Sequence, residues 1–274
     1  MKYVFLIFVF LFCHNPLQAY FTIDRQVPLY VVIPSYNNEK YCIENLTSLA
    51  QQKYFSWEAV YINDCSEDRT GELVRKFIKK NKLQKKIRLI NNKRRCGALE
   101  NTYNAIKKAD PRSVVIILDG DDYLIDDRVF DYIAQVYKRN PHIWLTYGNY
   151  IAKPNPRRSV CAPYPAEVIR NHSFRSYKYV SSHLRTFYAA LFHKIKKKDL
   201  LHKGKFFPAA GDVATMLPML EMAAEGHFAF IDKVLYVYRD NNPINDFRKR
   251  ATLQRECNEI IRSQTPYKPL TRLW

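Results

Sequence analysis

An α/β fold with a mostly parallel sheet flanked by helices is predicted from the sequence. Four short apolar runs rich in β-branched residues are typical of buried parallel strands. Helical patterns separate these runs, and three of the runs end in polar or acidic side chains. Alternation of this kind predicts right-handed βαβ units that share one parallel sheet. The polar strand ends would then meet in one cleft, at the edge where open α/β sheets bind ligands.

The four apolar runs are the predicted strands. The first run, residues 27–37, is closed by Pro34, because proline cannot donate to a sheet ladder. The second run, residues 57–64, ends in Asn-Asp, and the third, residues 86–91, ends in Asn. The fourth run, residues 114–118, leads directly into an acidic cluster.

Three amphipathic helices are predicted between the strands, because apolar residues recur there at helical spacing. Each helix would turn one apolar face toward the sheet. The members of the three faces are Leu46, Leu49 and Ala50; Leu73, Val74, Phe77 and Ile78; and Ala98, Leu99, Thr102, Ala105 and Ile106.

The acidic cluster after the fourth strand is the most informative feature of the chain. Asp119, Asp121 and Asp122 are so close in sequence that their carboxylates repel one another unless water or a cation surrounds them. Oxygen ligands suit Mg²⁺ or Mn²⁺, which commonly bridge to nucleotide phosphates. The cluster therefore predicts a divalent-metal site. The structural alternative is a solvated acidic turn that caps a helix starting near Asp126.

Three segments together resemble glycosyltransferase family 2, the inverting enzymes with the GT-A fold. They are Val-Val-Ile-Pro-Ser-Tyr-Asn at 31–37, Asn-Asp-Cys-Ser-Glu-Asp-Arg-Thr at 63–70 and Leu-Asp-Gly-Asp-Asp at 118–122. The resemblance implies a GT-A-like (Rossmann-like) sheet with an acceptor-side half. It also implies transfer of a sugar from a nucleoside-diphosphate sugar, with a UDP-hexose expected, to a hydroxyl acceptor on a glycan, protein or lipid.

The same resemblance implies roles for the residues at the strand ends. Asp119 and Asp121 would hold a Mn²⁺ or Mg²⁺ ion on the diphosphate, and Asp122 is a further candidate contact to the diphosphate or acceptor. The residues implied to bind the base and ribose are Pro34, Tyr36, Asp64 and Asp119.

The sequence departs from the family pattern at two positions. Cys65 stands where a turn glycine is usual, and Glu100 stands where an arginine is usual. A basic phosphate contact near Glu100 would therefore have to come from Lys93, Arg94 or Arg95. The alternative for these three residues is a solvated basic loop.

An inverting transfer needs a base that removes the proton of the acceptor hydroxyl. The family places this base at the start of a helix beyond the nucleotide half, as an acidic residue followed by an amphipathic stretch and a glycine. Residues 210–226 have this pattern, which makes Asp212 the candidate catalytic base. The structural alternative is that Asp212 only caps the helix, because Asp is a favoured N-cap residue.

A segment rich in aromatic and basic residues, 177–198, lies between the metal site and the candidate base. Its apolar residues from Leu184 to Ile195 keep helical spacing, so most of it is predicted to be a core-facing helix. His183 and Arg185 are candidate contacts to the diphosphate or the acceptor. The structural alternative for a lone histidine in such a setting is a packed core residue.

The first residues, 1–19, are typical of a signal peptide. Lys2 precedes an apolar stretch well under the ~20 residues that span a bilayer, and Ala19 is a small residue at the expected cleavage position. A signal peptide places the protein in the lumen of the secretory pathway or outside the cell. A short uncleaved membrane anchor is the alternative, and a bacterial chain would need it because sugar nucleotides are cytosolic there.

The remaining chain is predicted to form one glycosyltransferase-like domain with an extension. A Pro-rich stretch at residues 153–166 breaks the periodicity and separates two halves. The predicted units are the domain at 27–240, its nucleotide half at 27–150, its acceptor half at 151–240, and a C-terminal extension at 241–274 with one amphipathic helix.

The formal net charge of +18 favours anionic partners, whether membrane lipids, phosphorylated carriers or nucleic acid, and an anionic membrane surface is one candidate. We expect no specific nucleic-acid binding, because the sequence contains no recognised nucleic-acid-binding module. The cysteines show neither metal-ligand spacing nor a disulfide framework. A bridge between Cys65 and Cys96 is nevertheless possible.

Alternative functions remain open at this point. A nucleotidylyltransferase also uses carboxylate-held metals, although Ser-Tyr-Asn-Asn-Glu after the first strand is not the Gly-rich basic loop that such enzymes usually carry. A relative that binds a sugar nucleotide without turnover would show the same motifs. A basic nucleic-acid-binding protein would show strongly salt-dependent affinity for oligonucleotides.

Overall fold

The computed structural model describes residues 26–157, 159–242 and 251–274. Its main feature is an eight-stranded sheet in the order β3-β2-β1-β4-β7-β6-β10-β5, with helices on both faces. The strands are β1 (Leu29–Ser35), β2 (Trp57–Asn63), β3 (Ile87–Asn91), β4 (Val114–Ile117), β5 (Tyr123–Leu124), β6 (Leu145–Lys153), β7 (Arg185–Tyr188) and β10 (Phe228–Arg239), and a separate hairpin joins β8 (Leu201–His202) to β9 (Lys205–Phe206).

Eight α-helices are described along the same ranges of the chain. They are α1 (Cys42–Ala50), α2 (Thr70–Lys80), α3 (Ala98–Ile106), α4 (Val129–Arg139), α5 (Ala166–Arg170), α6 (Ala189–His193), α7 (Gly211–Met222) and α8 (Ala251–Ser263).

The first half of the sheet is parallel, as predicted. β1 pairs in parallel with β2 on one side and β4 on the other, and β2 pairs in parallel with β3. All seven residues of β1 are buried, which explains why this strand is a nearly continuous apolar run. All four predicted strands are present, and their carboxyl ends lie along one edge.

The second half of the sheet departs from this pattern. β7 runs antiparallel between β4 and β6, and β6 pairs in parallel with β10. The helix predicted across residues 177–198 is wrong. Arg185–Tyr188 is a strand, Ala189–His193 is a short α-helix, and a 3₁₀ helix begins at Lys197. The apolar residues of this segment are buried in either conformation, so their helical spacing did not identify the backbone.

Two hydrophobic cores lie on opposite faces of the sheet. One core joins the sheet to α1, α2 and α4. The other joins it to α3, α6, α7 and α8. The predicted helical faces are confirmed at Leu46 and Leu49 of α1, Val74 of α2 and Leu99 of α3, which are each at most 5% exposed. Ala50, predicted on the face of α1, is exposed at the end of that helix, so this member of the prediction is wrong.

The C-terminal extension shares the second core. Cys257 and Ile261 of α8 are buried, and the chain beyond α8 continues along α7, where the Leu270 N–H donates to the Met222 carbonyl. A buried ion pair joins α7 to the segment before β7: Arg175 binds the Glu221 carboxylate through Nε at 2.5 Å and a terminal nitrogen at 2.9 Å. The extension therefore lies along the acceptor half and does not project from it.

Two further predictions concern the N-terminal segment and the cysteines. The signal peptide or anchor predicted at 1–19 lies outside the described residues. Among the described residues, no helix is long and apolar enough to cross a membrane. Cys65 and Cys96 are both free thiols, so the disulfide considered between them is absent.

Candidate active site

A cleft of about 1850 Å³ opens at the carboxyl ends of β1, β2 and β4. The nucleotide half contributes the strand ends and the loop before α3. The acceptor half contributes the segment before β7, the start of α7 and one face of α8. All of the predicted site residues line this cleft: Pro34, Tyr36, Asp64, Asp119, Asp121, Asp122, His183, Arg185 and Asp212.

The acidic turn after β4 is held tightly against the sheet. Asn45 of α1 donates its side-chain amide to the carbonyls of Asp119 and Asp122, at 3.0 and 2.8 Å. Gly120 lies so close to β1 that an added Cβ would be 2.5 Å from the Cβ of Ser35. The glycine is therefore required because the side chains of Ser35 and Asn38 fill the space that a Cβ would need. These contacts fix the direction in which the three carboxylates point.

Asp122 is buried and already hydrogen-bonded. The Tyr236 hydroxyl donates to Oδ2 at 2.7 Å, and the Arg239 backbone N–H donates to Oδ1 at 2.6 Å. Burial, with the nearby carboxylates of Asp121 and Asp119, raises the pKa of Asp122 well above its ordinary value. Asp122 thus ties the acidic turn to β10, and its oxygens face protein donors.

The Asp119 carboxylate lies near two side chains of the acceptor half, Arg185 and His183. A terminal nitrogen of Arg185 lies 3.4 Å from Asp119 Oδ2, and His183 Nε2 lies 3.8 Å from the same oxygen. Burial, together with the charge of Arg185, lowers the pKa of His183 well below its ordinary value. The imidazole is neutral at physiological pH, so its approach to Asp119 is not an ion pair. A neutral imidazole is the form that can bind a metal.

The donor set fits a divalent cation. Asp119, Asp122 and His183 each offer one ligand atom, and these atoms lie within 4.8 Å of one another. Asp121 is not part of that group of three, but it lines the cleft and its Oδ2 accepts a hydrogen bond from the Asn242 amide at 2.7 Å. The carboxylate oxygens suit Mn²⁺ or Mg²⁺, whereas the imidazole nitrogen is a ligand type more common for zinc or iron.

Asp64 organises the loop at the nucleotide end of the cleft. Its Oδ1 accepts hydrogen bonds from the Asn92 amide and the Cys96 N–H, and its Oδ2 accepts one from the Gly97 N–H at 2.8 Å. Burial alone would raise the pKa of Asp64, but the Asn101 amide and these donors outweigh burial and hold it below its ordinary value. The carboxylate is therefore ionised and shapes the loop that precedes α3.

Tyr36 lies beside that loop. The guanidinium of Arg95 is 3.2 Å from the centroid of the Tyr36 ring, and its Nε is 3.5 Å from Asp64 Oδ2. Arg94 pairs with Glu100 at 2.8 Å. Of the three basic residues considered for a phosphate contact, Arg94 and Arg95 line the cleft.

Asp212 lies in the first turn of α7, on the acceptor side of the cleft. The N-cap residue is Ala210, in a left-handed conformation, and no side chain caps the helix. Asp212 is therefore not the N-cap residue, although its charge in the first turn complements the helix dipole. Among the described residues, no hydrogen bond to its carboxylate is found. Burial would lower the pKa of Arg185, but the charges of Asp119 and Asp212 both raise it.

Sequence reasoning missed the contribution of β10. Tyr236 donates to Asp122 and accepts from the Asp119 N–H at 3.2 Å. The rings of Tyr236 and His183 stack with centroids 4.4 Å apart. The alternating aromatic run in β10 was a visible signal, but the sequence could not show that the strand lies beside the acidic turn, more than a hundred residues away.

The fold and site together define an α/β protein with a carboxylate-lined ligand cleft at the ends of parallel strands. Residues 30–200 match the family model described as glycosyl transferase family 2. The match covers more than half of the chain, so the chain belongs to this family, as its motifs indicated.

Relatives in sequence carry related names. The chain is 35% identical over 118 residues to the poly(ribitol-phosphate) beta-N-acetylglucosaminyltransferase TarS of Staphylococcus aureus, a match to 42% of this chain and 20% of TarS. It is 32% identical over 120 residues to the beta-1,3-glucosyltransferase WfgD of Escherichia coli, which covers 44% of each chain. The chain therefore matches less than half of the length of these relatives.

Solved structures confirm the GT-A-like fold. The structure of S. aureus TarS 1–349 with UDP-GlcNAc gives a TM-score of 0.57 at 21% identity, over 79% of this chain and 59% of that chain. The mannosyltransferase PcManGT from Pyrobaculum calidifontis, with GDP-Man and Mn²⁺, gives 0.58 at 18% identity, over 89% and 67%.

Proposed function

We propose that this protein is a metal-dependent inverting glycosyltransferase that moves a sugar from a nucleoside-diphosphate sugar, a UDP-hexose, to a hydroxyl acceptor. One observation supports this most directly. A metal-suited group at Asp119 and a carboxylate without a hydrogen-bond donor, Asp212, line one cleft. Arg185 lines the same cleft, and both charges act on it.

The carboxyl ends of β1, β2 and β4 form the donor side of the cleft. Tyr36 and the loop organised by Asp64 would hold the base and ribose, with Pro34 and Asp119 beside them. Asp119 and Asp121 would hold Mn²⁺ or Mg²⁺, with His183 within reach. The metal, when bound, neutralises negative charge that develops on the leaving diphosphate. Arg185 adds a fixed positive charge at the same place.

On the acceptor side, Asp212 would act as the base. The acceptor oxygen attacks the anomeric carbon from the face opposite the diphosphate, its proton passes to the Asp212 carboxylate, and the carbon–oxygen bond to the diphosphate breaks. Exposed basic residues on the same side, Lys178, Lys205 and Arg255, support an acceptor that carries negative groups. The name of TarS, whose acceptor is a poly(ribitol-phosphate), agrees with this chemistry.

A further partner and a location complete the proposal. An anionic membrane surface is the proposed partner beside the donor and the acceptor, supported by the net charge of +18. Residues 1–19 support a signal peptide or an anchor. The anchor is favoured by the bacterial origin of the two relatives named above, since sugar nucleotides are cytosolic in bacteria.

Donor binding is tested by thermal unfolding with UDP-GlcNAc, UDP-glucose and GDP-mannose, each with and without Mn²⁺, because a ligand that binds the native state raises the melting temperature. We expect a Mn²⁺-dependent shift with a UDP-sugar, absent in Asp121→Asn. No shift with any sugar nucleotide would contradict the proposal.

Turnover is tested by release of UDP. We expect Asp212→Asn to keep the thermal shift but to lose about 10²- to 10⁴-fold in UDP release, the usual contribution of a general base. Glu225→Gln, an exposed charge beyond the far end of α7, is the matched control and should release UDP at the normal rate. Full UDP release by Asp212→Asn would favour another base, and binding without release by the unmodified chain would favour a non-catalytic sugar-nucleotide-binding protein.

A nucleotidylyltransferase predicts a different product. It would consume a nucleoside triphosphate and a sugar phosphate and release pyrophosphate. Pyrophosphate release with UTP, in place of UDP release from a UDP-sugar, would support that alternative.

A further inference from the structure

The two ends of the parallel sheet differ sharply in charge. The cleft with its carboxylates lies at the carboxyl ends of β1, β2 and β4. At the opposite edge, Leu29 pairs with both Trp57 and Val114, so the loops that lead into these strands lie side by side. Seven residues of β1 separate the two edges, a distance of roughly 20 Å. We call the opposite edge, formed by residues 51–56, 79–86 and 107–113, the basal face.

The basal face is strongly basic. Asp110 is the only acidic residue in these three segments. Lys53 is exposed there and pairs with Asp127 at 2.8 Å, but none of the other exposed lysines of this face forms an ion pair with a residue in the described ranges. These exposed lysines are Lys79, Lys80, Lys82, Lys85, Lys107 and Lys108.

Local structure accounts for only part of this charge. Lys79 and Lys80 lie in the last turn of α2, where they complement the negative end of the helix dipole. Lys86 is used internally, because its ammonium donates to the carbonyls of Phe55 and Trp57. Lys82 and Lys85 lie beyond the helix in an exposed loop, where neither explanation applies.

Apolar features accompany the charge. The Phe55 side chain, on the loop between α1 and β2, is 79% exposed. The chain also reaches β1 on this face, where the Tyr54 hydroxyl donates to the Val27 carbonyl. Upstream of that point, residues 3–12 are uninterrupted apolar and aromatic residues in the sequence, Tyr-Val-Phe-Leu-Ile-Phe-Val-Phe-Leu-Phe.

We propose that the basal face docks on an anionic lipid bilayer, so that the cleft opens on the side of the molecule away from the lipid. Stable attachment to a membrane usually needs two signals, an apolar group and a polybasic patch, and among the described residues Phe55 and the lysines supply both at this edge. A nucleic acid would account for the lysines, but not for Phe55 or for the apolar sequence upstream of β1. The proposal does not depend on the reaction or on the donor.

The orientation has a consequence for the acceptor. In this orientation the lipid headgroups lie at the basal face, whereas Asp212 lies in the cleft at the opposite edge of the sheet. A hydroxyl at the headgroup level could therefore not reach Asp212. The acceptor must therefore extend from the bilayer by roughly the length of the strands or be free of it.

The test is co-sedimentation of the full 274-residue chain with vesicles. Vesicles of phosphatidylcholine containing phosphatidylglycerol are compared with vesicles of phosphatidylcholine alone. A triple variant, Lys79→Gln, Lys82→Gln and Lys85→Gln, removes charge from the basal face. A matched triple variant, Lys40→Gln, Lys203→Gln and Lys233→Gln, removes the same charge from exposed positions elsewhere.

Each basic residue near an anionic surface contributes roughly fivefold to binding. We therefore expect the basal variant to bind anionic vesicles at least tenfold more weakly and the matched variant to change less than threefold. UDP release should be unchanged in both, which separates this proposal from the proposed reaction. Equal binding to neutral and anionic vesicles, or equal loss in the two variants, would overturn the proposal.

Orientation and alternative ligands are checked separately. Tryptophan at position 55, in Phe55→Trp, should add fluorescence that brominated lipid quenches, whereas Lys203→Trp should not. Absence of quenching at position 55 contradicts docking by this face. If a single-stranded oligonucleotide displaces the protein from vesicles and the basal variant loses that affinity, the face binds nucleic acid and the membrane proposal is wrong.

Discussion

The nucleotide half and the acceptor half of this molecule are built differently. In the nucleotide half, parallel strands and helices alternate along the chain, and the functional side chains follow directly from strand ends. In the acceptor half, antiparallel β7 and the distant β10 complete the sheet, and α7 is held by contacts to α8 and the chain beyond it. Local sequence order builds the first half, and long-range packing builds the second.

The two halves also differ at the carboxylates that line the cleft. Asp64 and Asp122 in the nucleotide half have both carboxylate oxygens hydrogen-bonded within the protein. In the acceptor half, the carboxylate of Asp212 receives no hydrogen bond from the described residues. Buried polar atoms without a partner among the described residues occur in both halves: Asn45 Oδ1, Asn63 Oδ1 and Asn101 Nδ2 in the first, and Arg185 Nε and Asp240 Oδ1 in the second. The preorganisation of the nucleotide half therefore rests on its bonded carboxylates, Asp64 and Asp122.

The largest stability effect is expected from the ion pair that secures the acceptor half. Glu221→Gln leaves Arg175 buried without a counter-charge, and both side chains are at most 6% exposed. Breaking a buried pair in this way costs about 3–5 kcal/mol of unfolding free energy. Urea denaturation measures the loss, and Glu225→Gln is the matched control.

Hydrogen exchange of the Glu221→Gln variant tests whether the nucleotide half and the acceptor half are stabilised separately. Protection should fall first in α7 and α8, because Glu221 also accepts a hydrogen bond from the Tyr267 N–H after α8. An equal loss of protection in β1 and β2 would show that the two halves are not separately stabilised.

A smaller effect is expected in the acidic turn of the nucleotide half. In Gly120→Ala the new methyl group meets Ser35, and overpacking of this kind costs about 2 kcal/mol. The displaced turn should also lose Mn²⁺-dependent donor binding. Adding Ser35→Gly removes the two nearest clashing atoms, so the double variant should recover part of the stability in a double-mutant cycle. No recovery would mean that the clash lies elsewhere.

Asp64→Asn probes the loop before α3, with an expected loss of about 1.5 kcal/mol at neutral pH because hydrogen bonds to a charged carboxylate are replaced. The pKa of Asp64 is lowered in the folded protein. Its stabilising contribution is therefore complete above the ordinary aspartate pKa, near 4, and is lost as the pH falls through the lowered value. Urea denaturation from pH 7 to pH 3 should show the difference between the two proteins shrinking with acid. A constant difference would mean that shape, and not charge, matters at this position.

The sequence predicted the nucleotide half almost completely, because each strand end there is marked locally by a proline, an asparagine or an aspartate. It also placed Asp212 at the start of a helix. It failed at residues 185–188, where a buried strand and a buried helix give similar apolar patterns. It also could not find Tyr236 or Asn45, because their partners in the acidic turn are adjacent only in the folded chain.

The smallest effect is expected from Arg95, which covers Tyr36 at the rim of the nucleotide half. Its side chain is 48% exposed, and cation–π contacts at exposed sites contribute about 0.5–1 kcal/mol. Arg95→Met should therefore barely change the urea midpoint. If Arg95 also meets the nucleotide, affinity for a UDP-sugar should fall by less than tenfold, because Asp64 still holds the loop through its other bonds. Titration calorimetry with a UDP-sugar in the presence of Mn²⁺ measures this affinity. Arg95→Lys is the conservative control. A stability loss as large as that of Asp64→Asn would instead make Arg95 a structural part of the loop, and the preorganised half would extend to the rim of the cleft.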